Sequence, residues 1–242
     1  MQYLMTITFY FLLQSIVFSA PIKDFTATYD LYHNELYVGQ STRNLTTKNN
    51  LLTFSSVAET AGIAAWFFNI TITETSQLRF DKNRLNFISY HYDEKNNDKN
   101  KSYQLVIDKT HKLYNSYTKE HYPVAKNLHD TLGFTVAIMH ELQTGNREIK
   151  YTIAEKKKLK TYTLKLIKHE KLTTNNGEIS TLKMEHYDPK TNRRFTFWCA
   201  EKLGFLPIRI LNINKKGDEN LLNLTHLNQK AINLHLEDEE ND

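Results

Sequence analysis

The sequence predicts a mainly β protein: a large, curved, antiparallel meander sheet forming an open or incomplete barrel, with one core helix near residues 130–143. Three observations predict it. Apolar and polar residues alternate with period two along most of the chain. Short turn signals separate the alternating runs at regular spacing. A single stretch, Leu128 to Leu142, changes to helical spacing.

The first twenty residues carry no charged side chain. An apolar run from Tyr3 to Phe18 is followed by Ser19, Ala20 and Pro21, then Lys23 and Asp24. This is the layout of a secretory signal peptide, with a cut expected after Ser19 or Ala20. The run is shorter than the ~20 residues a membrane span needs. No cysteine follows it to carry a lipid, and no later stretch is apolar enough to span a membrane. The expected location is the periplasm, with residues 21–236 forming one β-rich domain. The acidic residues 237–242 form a solvated tail.

The strands follow in order. Phe25, Ala27, Tyr29 and Leu31 alternate, a turn is expected at His33-Asn34-Glu35, and Leu36 to Leu45 returns. Leu51 to Glu59 is the third strand. Phe68 to Phe80 is the clearest: Phe68, Ile70, Ile72, Leu78 and Phe80 share one face, and Thr71, Thr73, Thr75 and Arg79 the other. Glu74 and Ser76 break that apolar face. Ala61 to Phe67, just before it, is read as a short helical or irregular piece. Leu85–Tyr92, Tyr103–Asp108 and Lys112–Tyr117 continue the meander.

In Leu128–Leu142, Leu128, Leu132, Val136, Met139 and Leu142 fall on one helical face, with Asp130 as N-cap and Gly145 as stop. Strands then resume at Glu148–Ala154, Leu159–Lys168, Ile179–Tyr187, Arg193–Cys199 and Pro207–Ile213. Their turn signals are Asn175-Asn176-Gly177, Asp188-Pro189 and Lys215-Lys216-Gly217-Asp218. Leu221 to Leu236 supplies one or two closing strands.

Composition narrows the function classes. A formal charge of +4 is mild for this length and argues against a dedicated nucleic-acid binder, which would show clustered Lys and Arg on one face. Cys199 is the sole cysteine. It forms no intrachain disulfide and is expected to be buried and inert between Trp198 and Ala200. No phosphate-binding glycine loop or nucleophile elbow is present. His140-Glu141 lacks the second histidine four residues on, where Thr144 stands. His129 and His140, read on one helix, lie about three turns apart, so no metal site is expected. No catalytic residue and no cofactor is assigned.

The ligand-binding candidates are Trp66, Phe67, Phe68 and Glu74. Three successive large aromatics cannot all face one side of a strand, so at least one is expected to be exposed or in a cavity. The apolar stretch Ala61 to Phe68 either lines or lids an apolar pocket or dips into a membrane surface; the competing reading is core packing. Glu74 on an apolar face needs a partner or a proton. Either it faces a ligand cavity, or it pairs with an Arg or Tyr hydroxyl and fixes register. Lys156, Lys157, Lys158 and Lys160 crowd a hairpin turn, as a solvated edge or as a contact for anionic head groups. Asn44-Leu45-Thr46, Asn69-Ile70-Thr71 and Asn223-Leu224-Thr225 match the glycosylation pattern, which matters only in a eukaryotic secretory pathway.

Several short pieces, in order, resemble the exported bacterial family called "domain of unknown function 3108". They are Tyr29-Asp30-Leu31-Tyr32 with Val38-Gly39, then Ser55, Glu59, Gly62 and Ala64, and Ile72-x-Glu74. Tyr90-x-Tyr92, Asp130-x-Leu132, Tyr151, and Trp198 with Leu206-Pro207-Ile208-Arg209-Ile210 complete the set. The resemblance runs from about Phe25 to Ile213. Asn34-Glu35 replaces a turn glycine of the family pattern, Gly133 stands where a serine is usual, and Cys199 takes an aromatic or apolar position. The resemblance implies a periplasmic antiparallel β protein without assigned activity. By analogy of fold it is similar to periplasmic lipoprotein carriers, which hold acyl chains in an incomplete barrel.

Three functions follow as expectations. The first is non-enzymatic binding of a lipid, an acyl chain or another apolar ligand in the curved sheet. The second is a structural or assembly role in the cell envelope through an envelope protein partner. The third is a hydrolase of envelope polymers using Glu59, Glu74 or Asp130, which requires two carboxylates facing each other across a cleft.

Overall fold

The structure, a computed structural model, describes residues 22–97, 99–174, 177–229 and 232–235. The expected signal peptide, acidic tail and Asn175-Asn176 turn lie outside the described residues. The first strands are β1 (Phe25–His33), β2 (Leu36–Lys48), β3 (Leu51–Thr60), β4 (Thr71–Asp81) and β5 (Arg84–Lys95). Then come β6 (Lys101–Ile107), β7 (Lys112–Asn115), β8 (Glu120–Pro123) and β9 (Leu128–Asp130). The later ones are β10 (Glu148–Glu155), β11 (Lys158–Thr174), β12 (Gly177–Asp188) and β13 (Arg193–Ala200). Finally come β14 (Leu206–Ile213), β15 (Glu219–Gln229) and β16 (Ile232–His235). Two α-helices interrupt them, α1 (Ala64–Phe67) and α2 (Phe134–Gln143).

One sheet contains every strand of the described residues. Its order is β8-β7-β6-β5-β4-β3-β2-β1-β15-β14-β13-β12-β11-β10-β9, with β16 paired to β15. All pairs are antiparallel except β9 with β10. The predicted meander is therefore present, as an open, curved sheet. Its two end regions approach each other without a closing ladder: β9 packs across β5, and Asn115 Nδ2 donates to the Lys156 carbonyl at 3.0 Å.

Sequence pattern and turn chemistry explain the meander locally. Phe25, Ala27 and Tyr29 are buried while Thr26, Thr28 and Asp30 are only partly so. Asn34-Glu35, Asn49-Asn50 and Lys82-Asn83 all have positive φ at both positions, the geometry that suits tight hairpins. Gly39 is needed for a different reason: a Cβ there would sit 2.0 Å from the Glu59 carbonyl oxygen on the neighbouring strand.

The helix differs from its predicted bounds. It begins at Phe134, because Leu128–Asp130 pairs with Thr152–Ala154 as strand β9. Asp130 does not cap the helix directly. Its Oδ1 accepts the N–H groups of Leu132 and Gly133, each at 2.8 Å, and so shapes the turn that leads into it. The sequence pattern did not mark β8 or β9. Both are three- or four-residue strands, too short to show alternation.

The helix is buried nearly all round, as expected of an element inside a core. Val136 and Met139 pack into one apolar cluster dominated by the first strands. Ile138 and Leu142 pack into another, built on β10 to β14. The C-terminal half of the helix reaches one end of the sheet. There His140 Nε2 lies 3.2 Å from the Asn83 carbonyl and Gln143 Nε2 donates to the Gly204 carbonyl.

Antiparallel succession sorts the connections between two rims. The helix closes the rim that holds the β4–β5 and β13–β14 connections. The opposite rim carries the β1–β2, β3–β4, β5–β6 and β7–β8 connections. Because β15 runs antiparallel to β1, the β10–β11, β12–β13 and β14–β15 turns fall on that same open rim.

Candidate functional site: a cleft at the open rim

A cleft of about 260 Å³ opens near the rim ends of β10 to β14. Strand alternation builds its wall: Ile153 and Glu155 share one face of β10, and Tyr162 and Leu164 one face of β11. Phe134, at the start of α2, forms part of the lining. It stands edge-on to Tyr151 and Phe197, with ring centroids 5.6 and 5.4 Å away. Tyr162 makes edge contacts with His186 at 4.9 Å and Phe195 at 5.6 Å. The lining is mostly apolar. The volume exceeds the ~150 Å³ that accommodates a benzene-sized ligand in a protein interior.

A wider cleft of about 560 Å³, bearing charged side chains, adjoins it and shares Tyr162 and His186. Lys158, Lys160, Arg193 and Lys215 supply its cations, against Asp188. Glu155 marks the neck. It accepts the Tyr162 hydroxyl and pairs with Lys160 Nζ at 3.3 Å. Burial, with the Glu155 hydrogen bond adding to it, pushes the Tyr162 hydroxyl above its usual range, so it stays a neutral donor. The arrangement offers an apolar slot beneath a cationic mouth.

Glu74 lies deeper, within the sheet. Register places Tyr90 opposite Ser76, and the Tyr90 hydroxyl donates to Glu74 Oε1 at 2.5 Å. Thr131, which lines the cleft, donates to that hydroxyl at 3.3 Å. Burial foremost, then the Glu74 charge, raises the Tyr90 hydroxyl far above its usual range. Ser76 Oγ donates to Asp130 Oδ2 at 2.5 Å. Asp130 is wholly buried, and its carboxyl is raised to about 6. Burial is the largest cause, Glu74 adds to it, and the hydrogen bonds from Ser76, Gly133 and Leu132 oppose it. Asp130 is sealed from solvent and Glu59 stands exposed at the end of β3. The three carboxylates considered for hydrolysis thus do not line one cleft.

Trp66, Phe67 and Phe68 are not gathered with Glu74. They project from α1 at the rim, 88%, 71% and 62% exposed. The helix buries none of its residues, which removes core packing as their role. The four sequence candidates therefore occupy two places. The residues that shape the cleft, Phe134, Tyr162, His186 and Phe195, were not singled out from sequence. Inward alternation on β11 and β13 beside the lysine-rich turn was the available signal.

The histidines also need correction. His129 is on β9, not on the helix, so the spacing along one helix axis does not apply. Both His129 and His140 line a cleft of about 170 Å³. Burial foremost, then the neighbouring His140, lowers His129 to about 4. Among the described residues no group of three His, Cys, Asp or Glu side chains is arranged to hold a metal. Cys199 is buried, with its thiol raised above its usual range by burial. No helix among the described residues is long and apolar enough to cross a membrane.

The fold has a counterpart among solved structures. A β-barrel-like protein of domain of unknown function DUF1849 from Brucella abortus superposes with a TM-score of 0.52 at 9% identity. The match covers 86% of this chain and 98% of that one, and it speaks to the fold alone. No curated protein matches the sequence. The family model described as "Protein of unknown function (DUF3108)" matches residues 28–221. With most of its length matched, from β1 into β15, the chain belongs to that family.

Proposed function

We propose that the protein is a non-enzymatic binder of an amphipathic ligand, its apolar portion held in the cleft at the open rim and its anionic head at the cationic mouth. One observation carries the reading: an apolar slot walled by Phe134, Leu164 and Phe195 adjoins a cleft bearing Lys158, Lys160, Arg193 and Lys215. Ligand sites combine such a mostly apolar lining with a few placed polar groups. A lipid or an acyl-bearing molecule fits this chemistry. The apolar N-terminal run and the small residues after it support export to the periplasm. The analogy with periplasmic lipoprotein carriers agrees with the reading and adds little weight.

The test is native mass spectrometry, with lipid extraction, of protein purified from the periplasmic fraction. The expected result is a co-purified acidic lipid in the wild type and its loss in Leu164→Trp, which fills the slot. A bare protein that takes up no lipid on incubation, or equal loading of the two proteins, overturns the proposal.

A further inference from the structure

The open rim carries a second feature that the cleft does not use. Ile63, Trp66, Phe67 and Phe68 are 62–88% exposed, and Leu36 at the neighbouring β1–β2 turn is 58% exposed. The two turns form one patch. The Ala61 N–H donates to the Val38 carbonyl, and Gly62 lies against the Tyr37 ring. Exposed apolar clusters of this kind mark interaction surfaces. Farther around the same rim, three successive turns are basic. The β10–β11 turn carries Lys156 and Lys157, the β12–β13 turn Lys190, and the β14–β15 turn Lys215 and Lys216. Tyr117 and Tyr187 stand exposed on the basic side.

We propose that this rim docks on an anionic lipid bilayer, with α1 as a wedge among the head groups and the lysines of the three basic turns against the lipid phosphates. Charge complementarity and geometry select this partner. The apolar wedge and the basic turns sit on different arcs of one rim, and a flat surface touches both at once. Trp and Phe with Lys on a common face is the composition of interfacial anchors. A second copy of the chain covering α1 would leave the basic arc without a partner. The inference does not require the cleft to hold a ligand. If both hold, the cleft opens toward the bilayer.

The experiment uses the full chain with vesicles of phosphatidylcholine alone and of equal parts phosphatidylcholine and phosphatidylglycerol, read by co-sedimentation. The chain has two tryptophans, and Trp198 is only 8% exposed, so a blue shift on vesicle addition reports Trp66. Binding is expected to the anionic vesicles and to fall with salt. Phe67→Ser with Phe68→Ser should weaken it at least ~10-fold. Reversal of Lys157, Lys190 and Lys216 to Glu should weaken it roughly 100-fold. None of these five side chains is buried, so an unchanged melting temperature verifies folding. Leu164→Trp should bind vesicles like the wild type, which separates this result from ligand loading. Absence of vesicle binding, equal binding to neutral vesicles, or insensitivity to the serine pair overturns the proposal. So does a concentration-dependent dimer that the serine pair abolishes, since a second copy then covers the patch.

Discussion

Gly133 and Ser76 compete for one volume, and their replacement makes a quantitative test of the buried network at the start of α2. Gly133, the N-cap residue of α2, has φ −62° and ψ −24°, so alanine there meets no backbone penalty and gains ~0.4–1 kcal/mol from a less flexible unfolded chain. Its Cβ, however, would lie 2.3 Å from Ser76 Oγ and 2.8 Å from Asp130 Oδ2. The hydroxyl must leave, and its bond to a buried carboxylate is lost, at about 1.5–3 kcal/mol. Gly133→Ala should therefore destabilise by about 1–2 kcal/mol. Ser76→Ala loses the same bond, about 2 kcal/mol. In the Ser76→Ala background Asp130 Oδ2 at 2.8 Å and the Cβ of residue 76 at 3.2 Å remain, and the carboxylate, released from the Ser76 hydroxyl, has room to give way. There Gly133→Ala should be neutral or stabilising, giving a coupling of about 2 kcal/mol across the cycle. Urea denaturation of the four proteins at pH 8, above the Asp130 value of about 6, measures it. Additivity within ~0.5 kcal/mol, or stabilisation by Gly133→Ala alone, would refute the reasoning.

Three further outcomes are expected. Asp130 is raised from 3.8 to about 6, so its contribution is complete below its unfolded value and is lost as pH rises through about 6. His129 is lowered from 6.5 to about 4, so its contribution is complete above 6.5 and is lost as pH falls through about 4. The two oppose each other between those limits. Asp130→Asn should make stability rise from pH 4 to 6.5, and His129→Phe should make it fall. Slopes of one sign in denaturation at stepped pH would contradict the assignment. Gly39→Ala should cost ~3 kcal/mol or more, because the obstacle at 2.0 Å is the backbone oxygen of Glu59 and cannot rotate away. A melting temperature within about 2 °C of wild type would disprove it. Glu35→Gly should stabilise by ~1 kcal/mol, because Glu35 sits at φ 69°, where only glycine is unstrained; a lower urea midpoint would contradict this.

The meander was legible because its information is local. Alternation and paired turn residues specify each hairpin without reference to the rest. Exposure of at least one aromatic at 66–68 was legible from strand alternation; that all three are exposed follows from α1 (Ala64–Phe67), a helix that buries none of its residues. What escaped was non-local. Leu128 and Leu132 have helical spacing, yet the parallel pairing of Leu128 with Thr152 overrides it. The sequence leaves an Arg or a Tyr hydroxyl as the partner of Glu74; the β4–β5 register sets Tyr92 opposite Glu74 and Tyr90 opposite Ser76, and it is the Tyr90 hydroxyl that reaches diagonally to Glu74. The cleft draws on β10 to β14 and the start of α2, so its members share no pattern in sequence. Many motif residues of the family resemblance prove architectural. Tyr29 donates its hydroxyl to the Pro207 carbonyl at 2.9 Å, and Gly39 admits the backbone of β3.

The joint between β1 and β15 bears on how the molecule forms. It pairs Phe25 with Gln229 and His33 with Asn220, residues near opposite ends of the described chain. On either side of that joint, β1 to β8 and β10 to β15 are hairpin ladders that can assemble from neighbouring segments. Closing so long a loop before any contact rewards it is slow. The two ladders are therefore expected to collapse early as separate units and to zip together last along β1. Until then β1 and β15 are bare sheet edges, the surfaces most open to mispairing between chains. A newly made chain is thus most vulnerable to aggregation until its last strands have emerged.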